Sequence, residues 1–111
     1  MDNEVTEMGD LEAKVLYSVV HCAGDAYGVS ISETIQDRTG IDVAMGAIYA
    51  TLDRLQKKGF VCSSWSEPGR ERGGRRKRIF EITGAGKLAL REYDERFRRM
   101  SEGWQPRLEE A

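Results

Sequence analysis

The sequence predicts a mostly α-helical fold with one small β-hairpin, and three observations predict it. Apolar residues recur every three or four positions along three successive stretches, which is the mark of helix faces. The period changes near Phe60, where two short runs flank a tip rich in glycine and arginine, as a hairpin requires. The chain then returns to the helical period for a last, long stretch with an apolar seam of its own.

The first helix places Met8, Leu11, Val15, Leu16, Val19 and Cys22 on one face. Gly9 or Asp10 opens it and Gly24-Asp25 closes it. Tyr17 and Val20 widen the apolar surface, so this helix should be buried by two neighbours. Tyr27-Gly28 marks a turn. Ser30 or Ser32 can cap a second helix that runs to Arg38 with Ile31 and Ile35 inward, and Gly40 stops it. A third helix is expected from Ala44 to Lys58, ending at Gly59. Its inward face is Ala44, Ile48, Leu52 and Leu55; its opposite face carries Gly46, Ala47, Ala50, Arg54 and Lys57.

Phe60–Glu67 and Arg75–Ile82 read as two strands around a seven-residue tip, Pro68–Gly74. Six of the nine residues from Arg70 to Arg78 are basic, more than is needed to keep a hairpin edge from pairing with another chain. Thr83 can cap the last helix, which should reach about Gly103 with Pro106 just beyond. Leu90, Tyr93, Phe97, Met100 and Trp104 follow each other at steps of three and four along it. Nothing else in so short a chain is left to cover the far end of that seam, so a second copy is the simplest cover; a helix folded back on its own core is the alternative.

Size and composition limit the functional classes. A chain of 111 residues, 40 % hydrophobic, can bury one modest core without a metal or a disulfide staple. No apolar run approaches the roughly 20 residues that span a bilayer. The acidic opening MDNEVTEMGD is unlike a signal or transit peptide, so a soluble, cytoplasmic protein with no membrane partner is expected. Cys22 and Cys62 lack metal-ligand spacing and read as simply buried. His21 reads as a structural histidine beside an apolar face. No cofactor, metal or catalytic set is expected, and Gly69–Gly74 is too charged for a phosphate loop. The chain should not be an enzyme.

Charge is more informative in its distribution than in its total. The net charge is −2, but residues 1–42 carry −7, residues 43–80 carry +6 and residues 81–111 carry −1. A concentrated basic block attracts phosphate whatever the total, because its field acts over roughly 8–10 Å.

Helix, helix, helix, hairpin is the element order of a winged helix-turn-helix. The expected division is residues 8–82 as a DNA-binding unit and residues 83–105 as a C-terminal dimerisation helix. The third helix would enter the major groove, about 12 Å wide. There Gly46, Ala47 and Ala50 allow close approach, Tyr49 offers a hydroxyl, and Arg54 and Lys57 meet the backbone. Arg72, Arg75, Arg76, Lys77 and Arg78 of the hairpin would hold phosphates or enter the minor groove. Each group has a plainer alternative: tight packing for Gly46 and Ala47, a core role for Tyr49, solvated surface for Arg54 and Lys57, and a solvated basic hairpin with no partner for the wing.

The stretches Tyr27-Gly28…Ile31…Ile35, Met45–Leu55, Gly59-Phe60-Val61, Gly73–Arg78 and Ile82-Thr83…Gly86 together resemble the PadR family of transcriptional regulators. The resemblance covers residues 10–90 or so. It implies a bacterial or archaeal regulator, a homodimer joined through the last helix with help from Leu11 and Val15 of the first, and the family's small subgroup. Ile79-Phe80 stand where the family often has two tyrosines, and Ala47 and Ala50 stand where it often has Thr and Pro. Many relatives bind phenolic or flat aromatic compounds near the dimer interface. By resemblance, Tyr93, Phe97, Met100 and Trp104 would hold a small aromatic effector; a dry interface is the alternative. The function expected is a dimeric, sequence-specific regulator of double-stranded DNA, a repressor relieved by such an effector. The competing class is a winged-helix protein-interaction module that does not bind DNA. RNA binding is disfavoured, because no aromatic residues interleave with the hairpin bases.

Overall fold

The computed structural model describes residues 8–67 and 76–106. Three helices, α1 (Asp10–His21), α2 (Gly28–Thr39) and α3 (Met45–Lys57), precede an antiparallel pair, β1 (Val61–Trp65) and β2 (Arg78–Ile82). The last helix, α4, spans Gly84–Ser101. The predicted class and element order are those observed. The wing tip, with Arg72 and Arg75, lies outside the described residues.

The core gathers where α1, α2 and α3 meet and β2 closes the open side. Leu16, Val15, Val19, Ile31, Ile48, Leu52, Leu55 and Phe80 are almost wholly buried there. Thr51 is also buried and takes the place expected for Ala44, which precedes α3 as its exposed N-cap. Thr51 lies on the same helical face as Ile48, Leu52 and Leu55, so the period of 3.6 includes it. Val20 is 43 % exposed rather than covered by a second neighbour. His21 is exposed at the last turn of α1. Cys22 is half-buried, and Cys62, expected inside, is exposed because it alternates with buried Val61 to the outer face of β1.

α2 begins two residues before the expected Ser30 cap. Ser30 sits in the first turn, where its hydroxyl accepts from the Tyr27 N–H at 3.0 Å and donates to the Asp25 carbonyl at 2.7 Å. It thus reaches back to the N-cap as a capping-box residue does. At the end of α3, Gly59 takes φ +81°. The Phe60 N–H then returns to the Leu55 carbonyl at 2.9 Å, and the Gly59 N–H to that of Gln56 at 3.0 Å. This is the Schellman pattern, and it explains why the ladder starts at Val61 rather than Phe60.

Pairing runs from Val61 opposite Ile82 to Trp65 opposite Arg78. The Phe80 N–H reaches the Ala26 carbonyl at 2.8 Å, which ties the wing to the α1–α2 turn. Thr83 caps α4 by accepting from the Gly86 N–H at 3.0 Å, and its hydroxyl donates to the Gly59 carbonyl at 2.6 Å. A β-carbon on Gly86 would overlap the Phe60 carbonyl, so only glycine lets α4 leave the wing at this point. No helix of the described residues is long and apolar enough to cross a membrane.

Candidate nucleic-acid interface

The outer face of α3 is built from small and polar side chains. Gly46, Tyr49, Ala50, Asp53 and Lys57 are exposed along it, while Ala47 is half-buried at its margin. A β-carbon on Gly46 would meet nothing within 4 Å, so open space lies before this part of the helix. The Tyr49 ring turns back towards α2, and its hydroxyl rests against Gly28 at the start of that helix. Tyr49 is still 48 % exposed, so it packs and faces solvent at once.

The predicted cations part company. Arg54 is turned away from the outer face: its Nη2 donates to Thr51 Oγ1 at 3.1 Å, and its Nε lies 3.5 Å from Glu12 of α1. Its place, one position beyond Asp53, directs it to the side of α3 next to α1. Lys57 stays on the outer face but pairs with Asp53 at 3.2 Å. Arg78 is committed within the protomer, donating from Nε to Ser63 at 3.2 Å and from Nη2 to Gln56 at 3.0 Å. Lys77 lies 4.2 Å from the Tyr27 ring centroid and 3.7 Å from the Asp25 carboxylate. Arg76 is exposed at the edge of the described wing.

Asp25, Asp53, Gln56 and Trp65 are absent from the predicted site yet stand beside it. Asp53 was readable from its i, i+4 spacing to Lys57. Trp65 was readable from strand alternation, since it shares a face with Val61 and Ser63. Asp25 and Gln56 are brought to the wing only by the tertiary fold.

The predicted interface residues divide in two, and α4 ends at Ser101 rather than near Gly103, so Trp104 lies beyond the helix. Val15 and Leu90, expected at a subunit interface, are 0 % and 8 % exposed within the protomer's own core, so they have no surface to give a second copy. The remaining residues are bare: Phe97 is 59 % exposed, Met100 85 % and Trp104 71 %. Leu11 and Tyr93 are half-buried between these zones. α1 and α4 are joined by two hydrogen bonds, from Tyr93 Oη to Asp10 at 3.2 Å and from Tyr17 Oη to Asp94 at 3.3 Å. Desolvation, then the facing carboxylates, pushes both phenols above their ordinary pKa. Hydrogen bonding from Lys14, more than its charge or the hydrogen bond from Tyr93, holds the Asp10 carboxyl low. A groove of about 270 Å³ opens between these helices, floored by Ala13 and flanked by Tyr17, Tyr93 and Phe97.

The comparison with known proteins turns on residues 15–92, which match the profile of the transcriptional regulator PadR-like family. The chain belongs to that family. Its members are transcriptional regulators, and the winged helix described above is their fold. The PadR-like chain superposes on a Bacillus cereus PadR-like transcriptional regulator with a TM-score of 0.68 at 24 % identity, over 82 % of this chain and 84 % of that one. A Clostridium thermocellum transcriptional regulator gives 0.69 at 21 %, over 83 % and 86 %. Bacillus subtilis PadR, solved in complex with operator DNA, gives 0.64 at 20 %, over 87 % of this chain and 49 % of that one. At these identities the likeness establishes the fold. No curated protein matches the chain significantly.

Proposed function

We propose that this protein is a dimeric, sequence-specific regulator of transcription that binds double-stranded DNA. The carrying observation is the exposed face of α3, with Gly46, Ala50 and the edge of Tyr49, standing beside a wing whose Arg76 and Lys77 face solvent or weak partners. Small residues admit the helix to the major groove, and the flanking cations meet phosphates. Bacillus subtilis PadR, of the same fold and solved with operator DNA, supports DNA as the ligand. Lys57 and the wing supply phosphate contacts, Arg72 and Arg75 included. Arg54 and Arg78 stiffen the interface by holding α3 to α1 and to the wing.

The bare residues Phe97, Met100 and Trp104, with Leu11 and Tyr93 at their margin, form the face a second copy covers. Two α3 helices one helical turn apart, about 34 Å, would then read a roughly palindromic site. The protein acts in this reading as a cytoplasmic repressor, and a flat aromatic effector seated by Tyr93, Phe97, Met100 and Trp104 loosens the dimer geometry and releases DNA.

Fluorescence anisotropy of the DNA upstream of the protein's own gene, against a scrambled duplex at two salt concentrations, tests the reading. Salt-sensitive binding with a preference of several hundredfold supports it, since specific sites exceed non-specific ones by about a thousandfold or more. Weak binding without preference at this and other native promoters would assign the chain to protein docking instead.

A further inference from the structure

The wing and the starts of α2 and α3 enclose a cleft of about 420 Å³. Trp65, 63 % exposed, lines it together with Val29 and Tyr49, 43 % and 48 % exposed. Tyr27, Arg76, Lys77 and Arg78 complete the lining. Trp65 follows Val61 and Ser63 on one face of β1. Val61 is buried in the core, and Ser63 is engaged by Gln56 and Arg78. Trp65 is the next residue on that face and overhangs the cleft.

We propose that this cleft seats a stretch of DNA sugar–phosphate backbone, with Trp65 against the deoxyribose and Lys77 on a phosphate. The inference rests on the DNA-binding reading above, which already gives the wing cations to phosphates, and adds to it Trp65 and the cleft between the wing and the start of α2. Three observations select this occupant. The lining interleaves Val29, Tyr49 and Trp65 with the cations Arg76, Lys77 and Arg78, which suits a strand of alternating sugar and phosphate. Tyr49 belongs both to the outer face of α3 and to the cleft wall, so a duplex lying on α3 continues into the cleft. Among the described residues, Lys77 is held by an exposed carboxylate, Asp25, 67 % exposed at 3.7 Å, and by the Tyr27 ring. A solvent-screened pair of this kind is worth little, so a phosphate can take the ammonium over. Arg78 also lines the cleft, where its Nε and Nη2 are already engaged by Ser63 and Gln56, so Lys77 is the cation more readily given to a phosphate.

The chain has two tryptophans, Trp65 and Trp104, so intrinsic fluorescence can be assigned by difference. Full-length wild type and Trp65→Phe are titrated with the upstream duplex while anisotropy of the labelled duplex is followed. A change in emission that saturates with the anisotropy in wild type and is missing in Trp65→Phe is expected. Trp65→Ala should weaken the duplex about tenfold, as expected for one aromatic contact to nucleic acid, and Trp65→Phe should weaken it less. If the duplex binds but the emission of Trp65 does not change and Trp65→Ala binds as tightly as wild type, the cleft proposal is overturned while the DNA reading stands. If no native duplex binds wild type, the DNA reading fails first and the cleft proposal with it. Emission that responds to a polyglutamate peptide and not to duplex would assign the cleft to an acidic protein segment and overturn the proposal.

Discussion

Lys58 donates to both carboxylate oxygens of Glu12, at 3.0 and 2.9 Å. The pair ties the start of α1 to the residue that caps α3, 46 positions away. Glu12 is only 9 % exposed as a side chain, yet every polar need is met, since its Oε1 also accepts from the Gly9 N–H at 2.9 Å. Burial alone would raise this carboxyl. The Gly9 N–H, the Lys58 ammonium and the Arg54 guanidinium outweigh it and hold the carboxyl below its ordinary pKa.

Glu12→Gln should therefore cost about 2 kcal/mol near neutral pH, seen in urea unfolding. The folded-state pKa lies below the unfolded one, so the stabilisation is present above the unfolded value. It is lost as the pH falls through the folded value. The gap between variant and wild type should close in acid. A gap that persists unchanged below that range would mean the charge is not what Glu12 contributes.

Gly86→Ala should destabilise by about 2 kcal/mol, because the new methyl meets the Phe60 backbone carbonyl, which cannot move without breaking its bond from Thr83. Gly84→Ala, two residues earlier with open space before it, should be neutral or gain about 0.5 kcal/mol. Thermal melts of the two proteins side by side check this, and equal midpoints would contradict the crowded junction.

Phe97→Asp should leave the protomer folded, since Phe97 is largely exposed within it, but should give a monomer with poor duplex affinity. Sedimentation velocity with far-ultraviolet circular dichroism separates the two effects. A stable dimer carrying this substitution would place the subunit interface elsewhere.

Replacing Arg75, Arg76 and Lys77 together by Ala should weaken binding to native and scrambled duplexes alike. The logarithmic salt slope should fall by up to about one for each phosphate that is no longer neutralised. Affinity and slope that stay put would remove the wing from the DNA.

Much of this was legible in the chain. Helix faces, the Gly40 and Gly59 stops and the Thr83 cap depend on neighbours within one or two turns, and such patterns need no tertiary knowledge. Leu90 shows where that reading fails, since it lies in the protein's own core. A seam read from spacing says which residues are apolar together, but not whether they face their own core or another copy. Arg54 fails for a related reason. Periodicity gives its angle on α3, while its destination depends on Glu12, which a separate helix brings within 3.5 Å.

The order of elements, the apolar periods and the concentration of bases in residues 43–80 were set by the sequence alone, because each is a property of neighbouring residues. Which of those bases remain free was decided only by the tertiary structure. Arg54, Lys58 and Arg78 are bound by Glu12, Gln56 and Ser63, partners that the packing of α1 and the wing against α3 supplies. Lys77 is left with a weak, exposed partner. The reason is physical: a charge pair forms according to distance in space, and only the packed core sets the distances between residues remote in the chain.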